Sequence, residues 1–178
     1  SKGYLNQIDA IKSYSISKKN KTNNNKISYS KVLGESLYEL AEKFDFNCIT
    51  AAMEIGTGLS KFANKYKDRY IDVGIAEEHA VTYAAGMAAA GKLPVIPIYS
   101  TFIQRAYDQI IHDISLQKLP AIFCMDRSGL VGNDGPTHHG IFDISFMTSI
   151  PNIIVSSPKD GNELYDLLYT GIKNKLTL

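Results

Sequence analysis

Long apolar runs are missing from this sequence. No stretch approaches the roughly 20 consecutive apolar residues that a membrane-crossing helix needs, so a membrane partner is not expected. Cysteine is scarce as well: Cys48 and Cys124 each lie inside an apolar, strand-like run. Thiols in such runs behave as small hydrophobes, and two of them make neither a disulfide framework nor a metal cluster. They point to a reducing compartment and to no metal bound by this chain. A strong overall charge is lacking too, the net value being +1. That figure hides an asymmetry. Residues 1–26 carry six lysines and one aspartate, whereas the remainder carries thirteen basic and seventeen acidic residues. No aromatic residue interleaves Lys18, Lys19, Lys21 and Lys26, so stacking on nucleic acid has no platform there. There is no internal repeat. No signal-peptide pattern opens the sequence, which begins Ser-Lys-Gly without Met; the expectation is a piece of a longer protein.

What is present is enough for one domain of ordinary size: 178 residues, 44% of them hydrophobic. Residues 1–27, rich in Asn and Lys, have no apolar face and read as a solvated linker. From residue 28 to 178 the pattern is that of a folded domain. Ser30 is a candidate cap for a helix running to about Lys43. Strand patterns follow at Phe46 to Ala52, Tyr70 to Val73, Leu93 to Tyr99, Ala121 to Met125 and Ile153 to Val155. Helical patterns alternate with them, at Leu59 to Lys65, after Gly74, from Phe102 to Gln117, from Phe142 to Ser149 and from Gly161 to Lys173. That alternation predicts a three-layer α/β/α fold, a mostly parallel sheet with helices on both faces. Pro97 lacks an amide donor, so an irregularity or a sheet edge is expected at its strand.

Residues 70–90 organise the rest. After the strand Tyr70 to Val73, Gly74 turns the chain, and a helix opens with Glu77 and Glu78 in its first turn. Both carboxylates suit the positive end of the helix dipole. Glu78 needs no further explanation. Glu77 sits directly after the strand end, and ligands of open α/β sheets bind outside the carboxyl ends of the strands. Beyond it, Ala76, Ala80, Ala84 and Ala88 recur at i+4 spacing and form one stripe, with Gly86 beside it. A stripe of this kind permits close approach of another helix, and a second copy of the chain is one candidate partner.

Two more clusters fall at predicted strand ends. One is Tyr99-Ser100-Thr101-Phe102, with Arg105 a turn later. The other is Asp126-Arg127 and the glycine-rich loop that carries Asp134, His138 and His139. Each has a plain reading: Arg105 paired with Asp108, Phe102 in the core, the histidines ordering a loop. Their convergence on one sheet edge favours a ligand site.

The blocks Asp72-Val-Gly-Ile-Ala-Glu77-Glu78-His79-Ala-Val81, Ile98-Tyr99-Ser100-Thr101-Phe102-Ile-Gln-Arg105-Ala-Tyr-Asp-Gln109, Gln117-Lys-Leu-Pro120 and Asp126-Arg127-Ser-Gly-Leu-Val-Gly-Asn-Asp134-Gly-Pro-Thr-His138 resemble one family. It is the 1-deoxy-D-xylulose-5-phosphate synthases, and the likeness is to their central, transketolase-type pyrimidine-binding domain. It runs from about Ser28 to Ile172. The resemblance implies a thiamine-diphosphate- and Mg2+-dependent transferase, acting on pyruvate and glyceraldehyde 3-phosphate with loss of carbon dioxide. It implies that Glu77 hydrogen-bonds the aminopyrimidine N1′ of the cofactor and that Phe102 packs on that ring. Tyr99, Arg105 and Arg127 match residues of the acceptor pocket, and Asp134 and His138 match residues near the reacting substrate, with catalytic roles beside Glu77. His139 falls where the family varies and carries no role.

Asn133-Asp134-Gly135 with Asn162 mimics the family's diphosphate motif, but its first glycine is missing, so no metal is assigned here. The metal and diphosphate are expected on a separate domain of the same enzyme, which leaves this chain inactive alone, and a homodimer is expected. The location implied is a plastid-type organelle, or the cytoplasm if the parent is bacterial. Alternatives are the pyrimidine domain of a transketolase or 2-oxo acid dehydrogenase, or a non-catalytic dimerisation module.

Overall fold

Helix α1, Tyr29–Leu40, begins where the Ser28 hydroxyl accepts from the Lys31 amide. The cap is thus Ser28 and not Ser30, whose hydroxyl is occupied elsewhere, accepting from Arg127 Nη1 at 2.9 Å. The computed structural model describes residues 28–178; the stretch 1–27, read as a linker, lies outside the described residues. Leu33, Leu37 and Leu40 recur on one side of α1 and are buried. Strand β1, Asn47–Thr50, is buried along its whole length, as a strand covered on both faces must be. Short helix α2, Ser60–Lys65, leads to β2, Tyr70–Asp72, and then to helix α3, Glu77–Ala89. Strand β3, Pro94–Tyr99, and strand β4, Ile122–Asp126, follow, and α6, Asp143–Met147, and α7, Gly161–Asn174, come last. Asp160 caps α7, accepting from the amides of Asn162 and Glu163.

All four strands run parallel in the order β2-β1-β3-β4. One face buries Leu37, Leu40, Phe46, Phe62, Leu168 and Ile172 under α1, α2 and α7. The other buries Ala80, Ala84, Ile96, Ile98, Ile110 and Ile114 under α3 and the chain that follows β3. These are the three α/β/α layers, and every strand delivers its carboxyl end to the same rim.

Four expectations need correction. Pro97 lies in β3, an interior strand, not at an edge. It pairs with Cys124 of β4, while the ladder to β1 extends only over Asn47/Pro94 and Cys48/Val95. Beyond that point the Thr50 hydroxyl donates to the Pro97 carbonyl at 2.7 Å. The irregularity is therefore real, and a buried side chain closes it.

The amphipathic run after Tyr99 is not one regular helix. Helix α4, Ser100–Ile103, passes into a 3-10 turn, Gln104–Ala106, then α5, Tyr107–Gln109, then a π-helical stretch, Ile110–Ser115. The wider turns change the helical phase, so Ile110, Ile114 and Ser115 are all buried together.

Residues 153–155 form no strand. Instead the Ile154 amide donates to Thr177 O, and Leu178 bonds to Ala121 and Phe123 along the outer edge of β4.

The alanine stripe points inward. Ala80, Ala84 and Ala88 are buried, with α3 packed on β3, the 3-10 turn and the π-helical stretch. The close helix partner belongs to the same chain, so these alanines are not open to a second copy. Gly86 is exposed on the opposite side, where an added Cβ would meet nothing within 4 Å.

Candidate active site

Glu77 is 1% exposed at the first position of α3, just beyond β2. The approach to it is shaped by Asp72, whose Oδ1 accepts from the Ala52 amide at 2.8 Å and from the Gly74 amide at 2.9 Å. Ala52 and Gly74 both hold positive φ, 60° and 72°, and these two bonds fix the bends that carry the chain past the strand ends. Glu78, the next residue, is exposed. Successive helical side chains diverge by about 100°, so burial of one carboxylate leaves the other in water.

A cavity of about 690 Å³ opens at this rim. Its walls include Ala51, Met53, Ile75, Tyr99 and Phe102, and its charged groups are Glu54, Asp72, Glu77 and Arg105. A second cavity of about 720 Å³ lies beside it, lined by Ser30, Lys61, Asp126, Arg127 and Asp134.

The seven residues singled out in the sequence form one continuous chain of contacts. Arg105 Nη1 donates to Glu77 Oε1 at 2.8 Å. The Arg105 guanidinium stands 5.1 Å from the Phe102 ring centre. Phe102 meets His138 edge-on at 5.3 Å and lies near-parallel to Tyr99 at 5.9 Å. Arg127 covers the other ring, 4.5 Å from the Tyr99 centre, and its Nε donates to Asp134 Oδ2 at 3.2 Å. Arg105 therefore does not pair with Asp108, which takes His112 instead at 2.9 Å.

Arg127 is heavily committed. It adopts φ 60°, and its Nη1 donates to Ser30 Oγ and to Gly56 O at 2.9 Å each. Burial acts to lower its pKa, but Asp126 and Tyr99 outweigh that and leave it raised. The Tyr99 phenol is also raised, by burial first, with Arg127 opposing and Asp126 and Asp134 adding. A Cβ on Gly56 would run into the Tyr99 hydroxyl, so the glycine is what lets the ring lie where it does.

Several supporting groups come into view only in the fold. Asp143, buried, accepts from Ser100 Oγ at 2.9 Å and from Ser128 Oγ at 2.5 Å. Thr101 Oγ1 donates to Thr137 O at 3.0 Å, holding the turn that carries His138. His139, to which no role was given, is buried and accepts from the Val131 amide at Nδ1, 3.0 Å away. It orders the loop. Small polar residues of this kind carry no spacing signal, and their partners lie far off in sequence. Among the described residues no group of three or more His, Cys, Asp or Glu side chains stands together as a metal set.

With this geometry in view, likeness to known proteins decides the family. The family described as "Transketolase, pyrimidine binding domain" matches residues 25–177. The chain belongs to that family. It is 60% identical over 146 residues to a 1-deoxy-D-xylulose-5-phosphate synthase of Dictyoglomus thermophilum, covering 82% of this chain and 24% of that protein. It is 52% identical over 177 residues to the protein of the same name from Buchnera aphidicola, covering 98% of this chain and 30% of that one. The chain thus spans less than a third of the length of these curated, bacterial relatives. A solved split-gene transketolase, described as an inactive β4 tetramer, superposes with a TM-score of 0.74 at 26% identity, over 84% of this chain and 49% of that one.

Proposed function

We propose that this chain is the pyrimidine-binding domain of a thiamine-diphosphate-dependent synthase that joins pyruvate to glyceraldehyde 3-phosphate, with loss of carbon dioxide, to give 1-deoxy-D-xylulose 5-phosphate. The observation that carries this is Glu77: a carboxylate nearly closed to solvent, at a sheet rim, in a cavity with an aromatic wall. A flat, basic heteroaromatic ring fits such a place. Apolar side chains take its faces, and the carboxylate takes its ring nitrogen. When bound, the cofactor supplies a carbon nucleophile at the thiazolium that attacks the keto acid.

The residues of this chain do the following in that reading. Glu77 hydrogen-bonds the aminopyrimidine N1′ through a proton that the two share. Arg105 holds one carboxylate oxygen of Glu77, fixing the direction of the other. Phe102 packs on the pyrimidine and keeps water from it. Tyr99 and Arg127 line the acceptor side, where a guanidinium suits the phosphate of glyceraldehyde 3-phosphate. Asp134 and His138 would stand beside the reacting carbonyl, where they can hydrogen-bond its oxygen and deliver the proton that oxygen gains on addition. The half-exposed guanidinium of Arg105 supports a place at the acceptor pocket, and its hydrogen bond to Glu77 supports a second role beside the cofactor.

No residue set among those described suits a diphosphate with its Mg2+. Those groups belong, in this reading, to another domain of the same enzyme, which completes the site as part of a homodimer. The 52–60% identity to bacterial synthases supports the substrates. The inactive split transketolase is in keeping with a domain that does nothing alone. The Asn/Lys-rich stretch 1–27 supports a plastid-type location, and the bacterial relatives support a bacterial cytoplasm.

Complementation tests the reading. This chain and a separately supplied diphosphate-binding domain should form product only when mixed. Absence of product in every pairing favours a non-catalytic module.

A further inference from the structure

The geometry points to Asp143 as a positioning residue for the acceptor half of the site, an inference that rests on the function proposed above. One carboxylate joins two strand ends. Its Oδ2 takes the hydroxyl of Ser100, which follows Tyr99 and opens the turn carrying Phe102. The same oxygen takes the hydroxyl of Ser128, which follows Arg127. Its Oδ1 takes the Ile144 amide at 2.7 Å, which ties the pair to α6. The spacing between the aromatic wall and the arginine is therefore set by a group that touches neither.

Two further features make the join rigid. Gly129 and Gly140 exchange backbone hydrogen bonds, at 2.7 and 3.0 Å, closing the neck of the loop that carries Asp134 and His138. Gly140 packs so tightly there that a Cβ would collide with the Ser100 side chain and with Arg127 O. The neck, Ser100 and the Arg127 backbone are thus in direct contact, and Asp143 is the charged group that binds them. Asp143 and Ser100 are both buried, so water offers no ready substitute for the bond between them, while Ser128 brings the second hydroxyl from an exposed position. Glu77 and Asp72 stand outside this set. Phe102 touches the cofactor in this reading, but Glu77, which hydrogen-bonds the ring nitrogen, is outside the set, so the latch should govern the acceptor far more than cofactor activation.

The test uses the full-length enzyme. Asp143→Asn keeps the shape but puts an amide NH2 where one oxygen accepted two hydroxyls. The triple change Asp143→Ala, Ser100→Ala, Ser128→Ala removes the whole polar set, which leaves no buried group unpaired and protects folding. Both variants should raise KM for glyceraldehyde 3-phosphate by about tenfold or more, as misplaced binding groups do. Exchange of the cofactor C2 proton should stay within about twofold of wild type. Recovery of wild-type KM in the triple variant would reduce Asp143 to a fold-holding group and overturn the proposal. A fall in C2 exchange matching the change in KM would overturn it too. If the wild-type enzyme forms no product from these substrates, the functional reading is what fails. The latch is then judged by amide hydrogen exchange at Gly129 and Gly140. Asp143→Asn must speed it, with β3 amides unchanged; equal rates overturn the latch.

Discussion

Glu77 Oε1 receives its hydrogen bond from Arg105 Nη1 at 2.8 Å, across 28 positions of sequence. The glutamate is buried and the arginine half exposed, so the pair is neither a surface bridge nor a fully buried one. The contact engages one carboxylate oxygen, Oε1, in a cavity that Glu77 and Arg105 both line.

Replacing Arg105 by Met should therefore act on Glu77. Leaving a buried carboxylate unpaired costs about 3–5 kcal/mol when both partners are buried; with Arg105 half in water, about 1–3 kcal/mol is expected, read by urea denaturation of this chain. In the full enzyme the same change should slow C2-proton exchange about tenfold. A rise in acceptor KM with exchange untouched would return Arg105 to the phosphate pocket.

The inward alanine stripe makes a second prediction. Ala84 is fully buried against the layer beneath it, so Ala84→Leu overpacks the core. A loss of about 1–3 kcal/mol in folding stability is expected. Sedimentation that shows a dissociated but equally stable protein would place the stripe at an interface after all.

Much of this was legible in the sequence. The alternation of apolar strands with helical periods gives the layers, and the position of Glu77 after a strand end gives the rim. What stayed hidden depends on tertiary partners. Pro97 looks like an edge residue because its missing amide is visible, whereas the Thr50 hydroxyl that satisfies its carbonyl lies 47 positions away. The 153–155 run is apolar enough for a strand, but a backbone hydrogen bond to Thr177 alone does not make one. Alanine spacing shows that something comes close, not which chain supplies it. Ser100 and Asp143 are 43 positions apart, and nothing local marks either.

Alkaline pH should weaken the fold through its thiols. Burial pushes Cys124 up to about 12 from the ordinary 9.0, with Asp126 adding, and burial raises Cys48 well above 9.0 as well. The folded state keeps these protons where the unfolded state has lost them. Their contribution is thus fully present below pH 9 and declines as pH rises toward 12. The phenol of Tyr99, raised above 10.0, acts in the same sense. Urea denaturation at pH about 8 and about 10.5 should show stability falling, and Cys124→Val should flatten the fall. A stability that climbs with pH across that range would contradict this.

The most direct measurement is exchange of the cofactor C2 proton in the full enzyme, followed by NMR, for Glu77→Gln beside Glu78→Gln. Gln keeps the size of Glu77 and removes the proton it would share, so turnover and exchange should fall by about 10²–10⁴, the usual range for a positioned acid–base group. Glu78 is exposed and contributes at most its interaction with the helix dipole, about 0.3–1 kcal/mol, so Glu78→Gln should change the rate by roughly tenfold or less. Exchange at the wild-type rate in Glu77→Gln, with slowing in Glu78→Gln instead, would contradict the assignment of Glu77 and of every residue placed relative to it.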